Sequence, residues 1–213
     1  MPPEVHSINF LQRRAGFLSL HGGSFHPGDT DLAHFTLLRT DLVEPPSLWL
    51  QAHAGHIRPH GRVLDVAAGK GRNARWLAQQ GFQVEAVDRD AEALQALQGI
   101  EGITVRVADI ERDGWPYADQ QFDAIVVCRY LHRPLFDAFI DSLAPDGLLI
   151  YETFMQGQEI YGKPNNPDFL LKTDELLELV RGRLEVLAFE QGPQEQPKPC
   201  MLQRIVARKS LAT

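Results

Sequence analysis

The run from Arg62 to Asp90, RVLDVAAGKGRNARWLAQQGFQVEAVDRD, restricts the possible folds of this chain more than any other stretch. Val63-Leu64-Asp65-Val66 is an apolar run suited to a strand covered on both faces. Ala67, Ala68, Gly69 and Gly71 follow, small residues that allow a tight turn and close approach of another group to the backbone. A helical pattern then runs from Asn73 to Gln80, with Ala74, Leu77 and Ala78 on one face and Gly81 as the stop. A second apolar run, Val84 to Val87, ends in Asp88. Strand, small-residue turn, helix, strand and acid are the parts of a nucleotide-binding βαβ unit.

The remaining chain extends that pattern. Ala91 to Leu97 reads as a short helix, and Ile103 to Val107 as a third strand running into Ala108-Asp109-Ile110. Phe122 to Val127 is a fourth strand, followed by Cys128-Arg129-Tyr130-Leu131-His132-Arg133. Pro134 suits the first turn of the next helix. Pro145-Asp146-Gly147 reads as a turn before a fifth strand, Leu148 to Glu152. A Gly-, Pro- and Asn-rich insert over 154–172 is too long for a plain connection and suits a lid, with Tyr161, Lys163, Asn165 and Asn166 as expected contacts. Thr173 to Val180 reads as a helix capped by Thr173. Leu184–Phe189 and Met201–Lys209 are strands close enough to pair as an antiparallel hairpin. Upstream, Ser47 is placed to cap a helix running to Ile57. Residues 1–44 have no sustained period and are expected to form a mobile extension or a cap on the domain at 45–213.

Bulk properties narrow the function classes. A chain of 213 residues with 44% hydrophobic and 23% charged residues suits one full-sized domain. No apolar run approaches the roughly 20 residues that span a bilayer. A formal charge of −7 argues against broad affinity for nucleic acid. Cys128 and Cys200 make neither a disulfide framework nor a zinc spacing, which fits a reducing cytoplasmic setting. His53, His56 and His60 have ligand-like spacing, but Pro59 interrupts the helix and nothing completes a metal site.

Three ligands compete for the small-residue turn. A phosphate-binding P-loop is excluded because the upstream glycine is missing and Gly71 stands where a hydroxyl is needed. Gly69-Lys70-Gly71-Arg72-Asn73-Ala74 with Asp88 satisfies a dinucleotide fingerprint, but a buried Asp65 would repel a pyrophosphate. S-adenosylmethionine has no phosphate, and its ammonium suits Asp65. Asp88 can take both ribose hydroxyls, while Asp109 and Ile110 can flank an adenine.

With those residues in place, the chain from about Leu48 onward resembles the class I S-adenosylmethionine-dependent methyltransferases. Asp65-Val66-Ala67-Ala68-Gly69-Lys70-Gly71 follows the family's acid-x-G-x-G-x-G motif with Ala67 in place of the first glycine. Size and Tyr130-Leu131-His132-Arg133 make it most similar to the small bacterial tellurite-resistance-type methyltransferases. The resemblance implies an α/β, Rossmann-like fold: a seven-stranded, mostly parallel sheet with helices on both faces and an antiparallel C-terminal hairpin. It implies cofactor contacts from Asp65, Ala67, Gly69, Gly71, Asn73, Asp88, Arg89, Asp109, Ile110 and Cys128. It also puts Tyr130, His132 and Arg133 beside the acceptor, His132 as a base and Arg133 holding an anion. A small-molecule acceptor is expected. RNA or protein acceptors, and a non-catalytic cofactor-binding module, are the alternatives.

Overall fold

A computed structural model describes residues 44–210. The expected extension over residues 1–44 therefore lies, but for Glu44, outside the described residues. Seven strands form one sheet: β1 Arg62–Val66, β2 Gln83–Asp88, β3 Ile103–Val107, β4 Phe122–Cys128, β5 Leu143–Phe154, β6 Leu184–Gln194 and β7 Cys200–Lys209. Their order is β3-β2-β1-β4-β5-β7-β6. The first five run parallel, and β7 pairs antiparallel with both β5 and β6. This is the sheet that the resemblance implied. The order reverses between β1 and β4, which opens a crevice at their carboxyl ends, where ligands of such sheets bind.

Alternation along the central strands sorts the core into two layers. Val63, Ala124, Val126, Leu148 and Ile150 face the layer containing Trp49, Leu50, Ala74 and Leu77, from α1 (Leu48–His53) and α2 (Arg72–Gln79). Leu64, Val66, Ile125, Val127, Leu149 and Tyr151 face Phe136, Phe139 and Ile140 of α4 (Phe136–Asp141), with Leu176 and Val180 of α5 (Glu175–Val180). Between them in sequence, α3 (Ala91–Gln95) is capped by Asp90, whose side chain accepts from the Ala93 N–H. Asp65 alternates onto the α1/α2 face, where it is buried together with the polar Ser47 and Asn73.

Several boundaries differ from expectation for local reasons. Ser47 does cap α1, its Oγ accepting from the Leu50 N–H at 3.1 Å, but regular helix ends at His53 and one 3₁₀ turn, Ala54–His56, completes the segment. Pro145-Asp146-Gly147 does not precede β5 but lies within it, at an irregularity where the β4–β5 register shifts and Asp146 adopts φ +64°. Thr173 does not cap α5. Asp174 precedes that helix in a left-handed conformation, and Glu175 reaches back to accept from the Lys172 N–H at 2.7 Å. Among the described residues no helix is long and apolar enough to cross a membrane.

Candidate cofactor and acceptor site

A cavity of about 470 Å³ opens at the carboxyl ends of β1 to β5. One wall is built from Ala67, Val87, Asp88, Arg89, Ala108, Asp109 and Ile110, at the ends of the first three strands. Arg129, Tyr130 and Leu131 after β4, together with Thr153 and Phe154 at the end of β5, form the opposite wall. Glu111, Pro164 and Phe169 complete the lining.

The turn after β1 is shaped by packing as much as by access. Ala67 sits at φ +53°, a conformation that glycine adopts more readily. Gly69 has φ +55° and open space where a Cβ would stand. Its N–H donates to Asp88 Oδ2 at 2.8 Å, tying the turn to the end of β2. Gly71 serves a different need: at φ +74°, a Cβ there would collide with the side chain of Leu97. Leu97 lies just after α3 and is fully buried.

The acids differ in their surroundings. Asp65 is 2% exposed, and its Oδ2 has no hydrogen-bond partner among the described residues. Burial pushes its carboxyl up to about 7, against the opposing influence of the Ala74 N–H and Arg72. Asp88 accepts from Gly69 N–H on Oδ2 and from Asp90 N–H, at 2.9 Å, on Oδ1. One lone pair remains on each oxygen, enough for two hydroxyl donors. Asp109 Oδ1 accepts from the Glu111 and Arg112 N–H groups, both at 3.2 Å. Its carboxylate is thereby fixed at the cavity wall beside Ile110.

The orphaned Asp65 oxygen is the observation that tests S-adenosylmethionine as the ligand. An unpaired buried carboxylate is costly, and an ammonium group would satisfy it. A pyrophosphate would meet Asp65, Asp88 and Asp109 as repelling charges. The donor set therefore fits an amino-acid nucleoside without phosphates.

The other residues expected at the site divide. Ala67, Asp88, Arg89, Asp109, Ile110 and Tyr130 line the cavity. Asp65, Gly69, Gly71, Asn73 and Cys128 do not line it. Asn73 is buried, and its Oδ1 accepts from the Ser47 N–H at 3.0 Å, holding the start of α1 to α2. Burial raises the Cys128 thiol, so it stays protonated at neutral pH. His132 stands just outside the lining, its Nδ1 3.8 Å from Glu111 Oε2. The three upstream histidines have other company: His53 packs between Trp49 and His56, and His60 Nδ1 meets the Gly81 carbonyl at 3.2 Å.

Arg133 has different partners from the anionic acceptor expected for it. Nε and Nη2 donate to Glu175 at 2.6 and 3.0 Å, Nη2 also to the Leu170 carbonyl at 2.9 Å, and Nη1 to the Asp168 carbonyl at 2.8 Å. Burial alone would raise Glu175, but Arg133 and the Lys172 N–H outweigh it and hold the carboxyl below its ordinary value. Arg133 thus clamps the insert to the body of the domain. The insert closes on itself through the Met155–Leu171 bridge, and Gln158 ties it to β7, its Oε1 accepting from the Met201 N–H at 2.8 Å. It reaches the cavity through Pro164 and Phe169. Tyr161, Lys163, Asn165 and Asn166, the contacts read from sequence, do not line it.

Sequence reasoning passed over Glu111, Arg129, Thr153 and Phe154. Glu111 had a signal, being two residues beyond Asp109 at the same strand end. Arg129 is held at φ +57°, a strained conformation typical of functional sites and invisible in sequence.

Residues 63–147 match the methyltransferase domain family. The chain carries a class I S-adenosylmethionine-dependent methyltransferase domain. Among curated proteins it is similar to the protein-L-isoaspartate O-methyltransferase of Methylorubrum extorquens, 43% identical over 51% of this chain and 49% of that protein. An uncharacterized Mycobacterium tuberculosis protein is 34% identical over 45% of this chain and 35% of its own length. The chain thus spans between a third and a half of the length of these relatives. The fold is shared with TehB from Haemophilus influenzae, at TM-score 0.63, 20% identity, 76% of this chain and 61% of that one. It is also shared with a methyltransferase from Methanosarcina mazei, at TM-score 0.61, 18% identity, 76% of this chain and 98% of that one.

Proposed function

We propose that the protein transfers a methyl group from S-adenosylmethionine to a small-molecule acceptor. The observation that carries this reading is the cavity wall that Asp88 and Asp109 form at the ends of neighbouring strands, with the orphaned Asp65 carboxylate buried one residue before the end of β1. Bound S-adenosylmethionine would supply an electrophilic methyl carbon on a sulfonium. The chain then has to bind, orient and keep water out. Asp65 takes the ammonium, Asp88 the ribose hydroxyls, and Asp109 with Ile110 the adenine.

Tyr130 lines the acceptor side. Burial, and next the Glu111 carboxylate, keep its hydroxyl protonated at neutral pH. It is therefore not a base. His132 Nδ1, beside Glu111, is the atom that would receive a proton from a protic acceptor. Pro164 and Phe169 from the insert exclude water. A small acceptor fits the size of the cavity, and the N-methyltransferase NodS of Bradyrhizobium japonicum has the same fold at TM-score 0.56 and 18% identity.

Calorimetric titration with S-adenosylhomocysteine tests the reading. The parent protein is expected to bind, and Asp88→Ala to bind about 100-fold more weakly, as two charge-assisted hydrogen bonds are lost. Absence of binding by the parent, or equal binding by the variant, would refute it. Binding of NADH in its place would restore the dinucleotide reading.

A further inference from the structure

The acceptor half of the cavity is lined by carbon. Tyr130, Leu131, Phe154, Pro164 and Phe169 supply the walls, and Phe169 is 54% exposed, a large aromatic face left open at the mouth. Exposed phenylalanine on a clamped insert has no packing role to explain it, since Arg133 and the Met155–Leu171 bridge already hold the loop. The charges point the same way. The lining has three carboxylates, Asp88, Asp109 and Glu111, against two guanidiniums, Arg89 and Arg129. Arg129 already pairs with Glu44 at 3.0 Å, and Arg133 is wholly engaged outside the cavity. With Asp88 and Asp109 given to the cofactor and Arg129 to Glu44, an inorganic oxyanion entering the acceptor half would find the Glu111 carboxylate and apolar walls.

Taking the proposed methyltransferase function as the basis, we infer that the acceptor is an organic molecule with an aromatic body and a cationic or hydrogen-bond-donating group. Phe169 and Glu111 are the specificity-determining residues. Phe169 covers the ring from the insert side, where aromatic contact adds to simple burial. Glu111 faces the donor group from the end of β3, with the Tyr130 hydroxyl beside it.

Calorimetry on the full chain separates this inference from the function it rests on. S-adenosylhomocysteine is titrated first, and failure there refutes the methyltransferase reading itself. At saturating S-adenosylhomocysteine, four probes follow: 2-phenylethylamine, n-butylamine, benzoate and selenite. Phenylethylamine is expected to bind about tenfold more tightly than butylamine, which lacks the ring, and than benzoate, which reverses the charge. Phe169→Ala is expected to bring phenylethylamine down to the butylamine level. Glu111→Gln is expected to remove the preference for the amine over benzoate. Both variants retain S-adenosylhomocysteine binding, which a merely unfolded variant would lose. Tighter binding of selenite or benzoate, binding of none of the four, or indifference to Phe169→Ala overturns the inference.

Discussion

Replacing Asp65 by asparagine is expected to make the ligand-free protein more stable at pH 8 and a poorer binder of S-adenosylhomocysteine. The carboxyl moves from an ordinary value of 3.8 to about 7 on folding, chiefly because burial disfavours its charged form. A folded value above the unfolded one means that the stabilising contribution is complete below pH 4. It is lost as pH rises through 7. Above that, the ionised group costs about 4 kcal/mol, at ~1.4 kcal/mol per tenfold. Asparagine avoids this charge and keeps an oxygen to accept from the Ala74 N–H. Its buried amide hydrogens lack a partner and give back about 1–3 kcal/mol. The net gain at pH 8 is therefore about 1–3 kcal/mol, and near pH 4, where the charge cost is gone and the amide cost stays, it reverses to a loss of about 1–3 kcal/mol. Urea unfolding of both proteins at the two pH values measures it. Binding goes the other way, weakening by about 10–100-fold as one charge-assisted hydrogen bond is lost. Calorimetry at pH 7 in buffers of different ionisation enthalpy adds a signature, because the parent sheds about half a proton as Asp65 is driven to ionise. A variant less stable than the parent at pH 8, or one that binds as tightly, would show that Asp65 is a structural acid and refute the argument.

Two further perturbations probe the turn and the insert. Gly71→Ala combines a left-handed backbone with a collision against Leu97, so thermal unfolding should show a loss of about 2–4 kcal/mol. Arg133→Gln removes the clamp on the insert. Global stability should fall by only about 1 kcal/mol, because the pair is partly exposed. Limited proteolysis within 156–170 should accelerate about tenfold, while S-adenosylhomocysteine affinity stays within about threefold.

The βαβ unit was legible because its signals are local. Strand periodicity, the small-residue turn and the terminal Asp88 lie within one stretch, and each has a meaning independent of distant residues. The hairpin was legible for the same reason. The cavity was legible where strand ends build it: Asp88 ends β2 and Asp109 follows β3, so topology alone brings both to its wall. The bond that Asn73 makes was not legible, because its partner, Ser47, lies 26 residues away. The clamp made by Arg133 was not legible, because Asp168 and Leu170 come from an insert whose path has no periodicity and Glu175 from the helix after it.

What the sequence determined by itself was the sheet, the ligand end of the sheet and the absence of phosphate-binding chemistry from its first turn. Those follow from backbone propensity, alternation and the sign of a few charges, which act over short distances along the chain. Only the tertiary structure decided which side chains remain free for chemistry. It made Arg133 a clamp on the insert, gave Gly71 to Leu97, and brought Phe169 and Glu111 to the cavity wall. Hydrogen-bond donors and carboxylates are taken up by whatever lies within about 3 Å in space, and that neighbourhood is set by folding, not by sequence order.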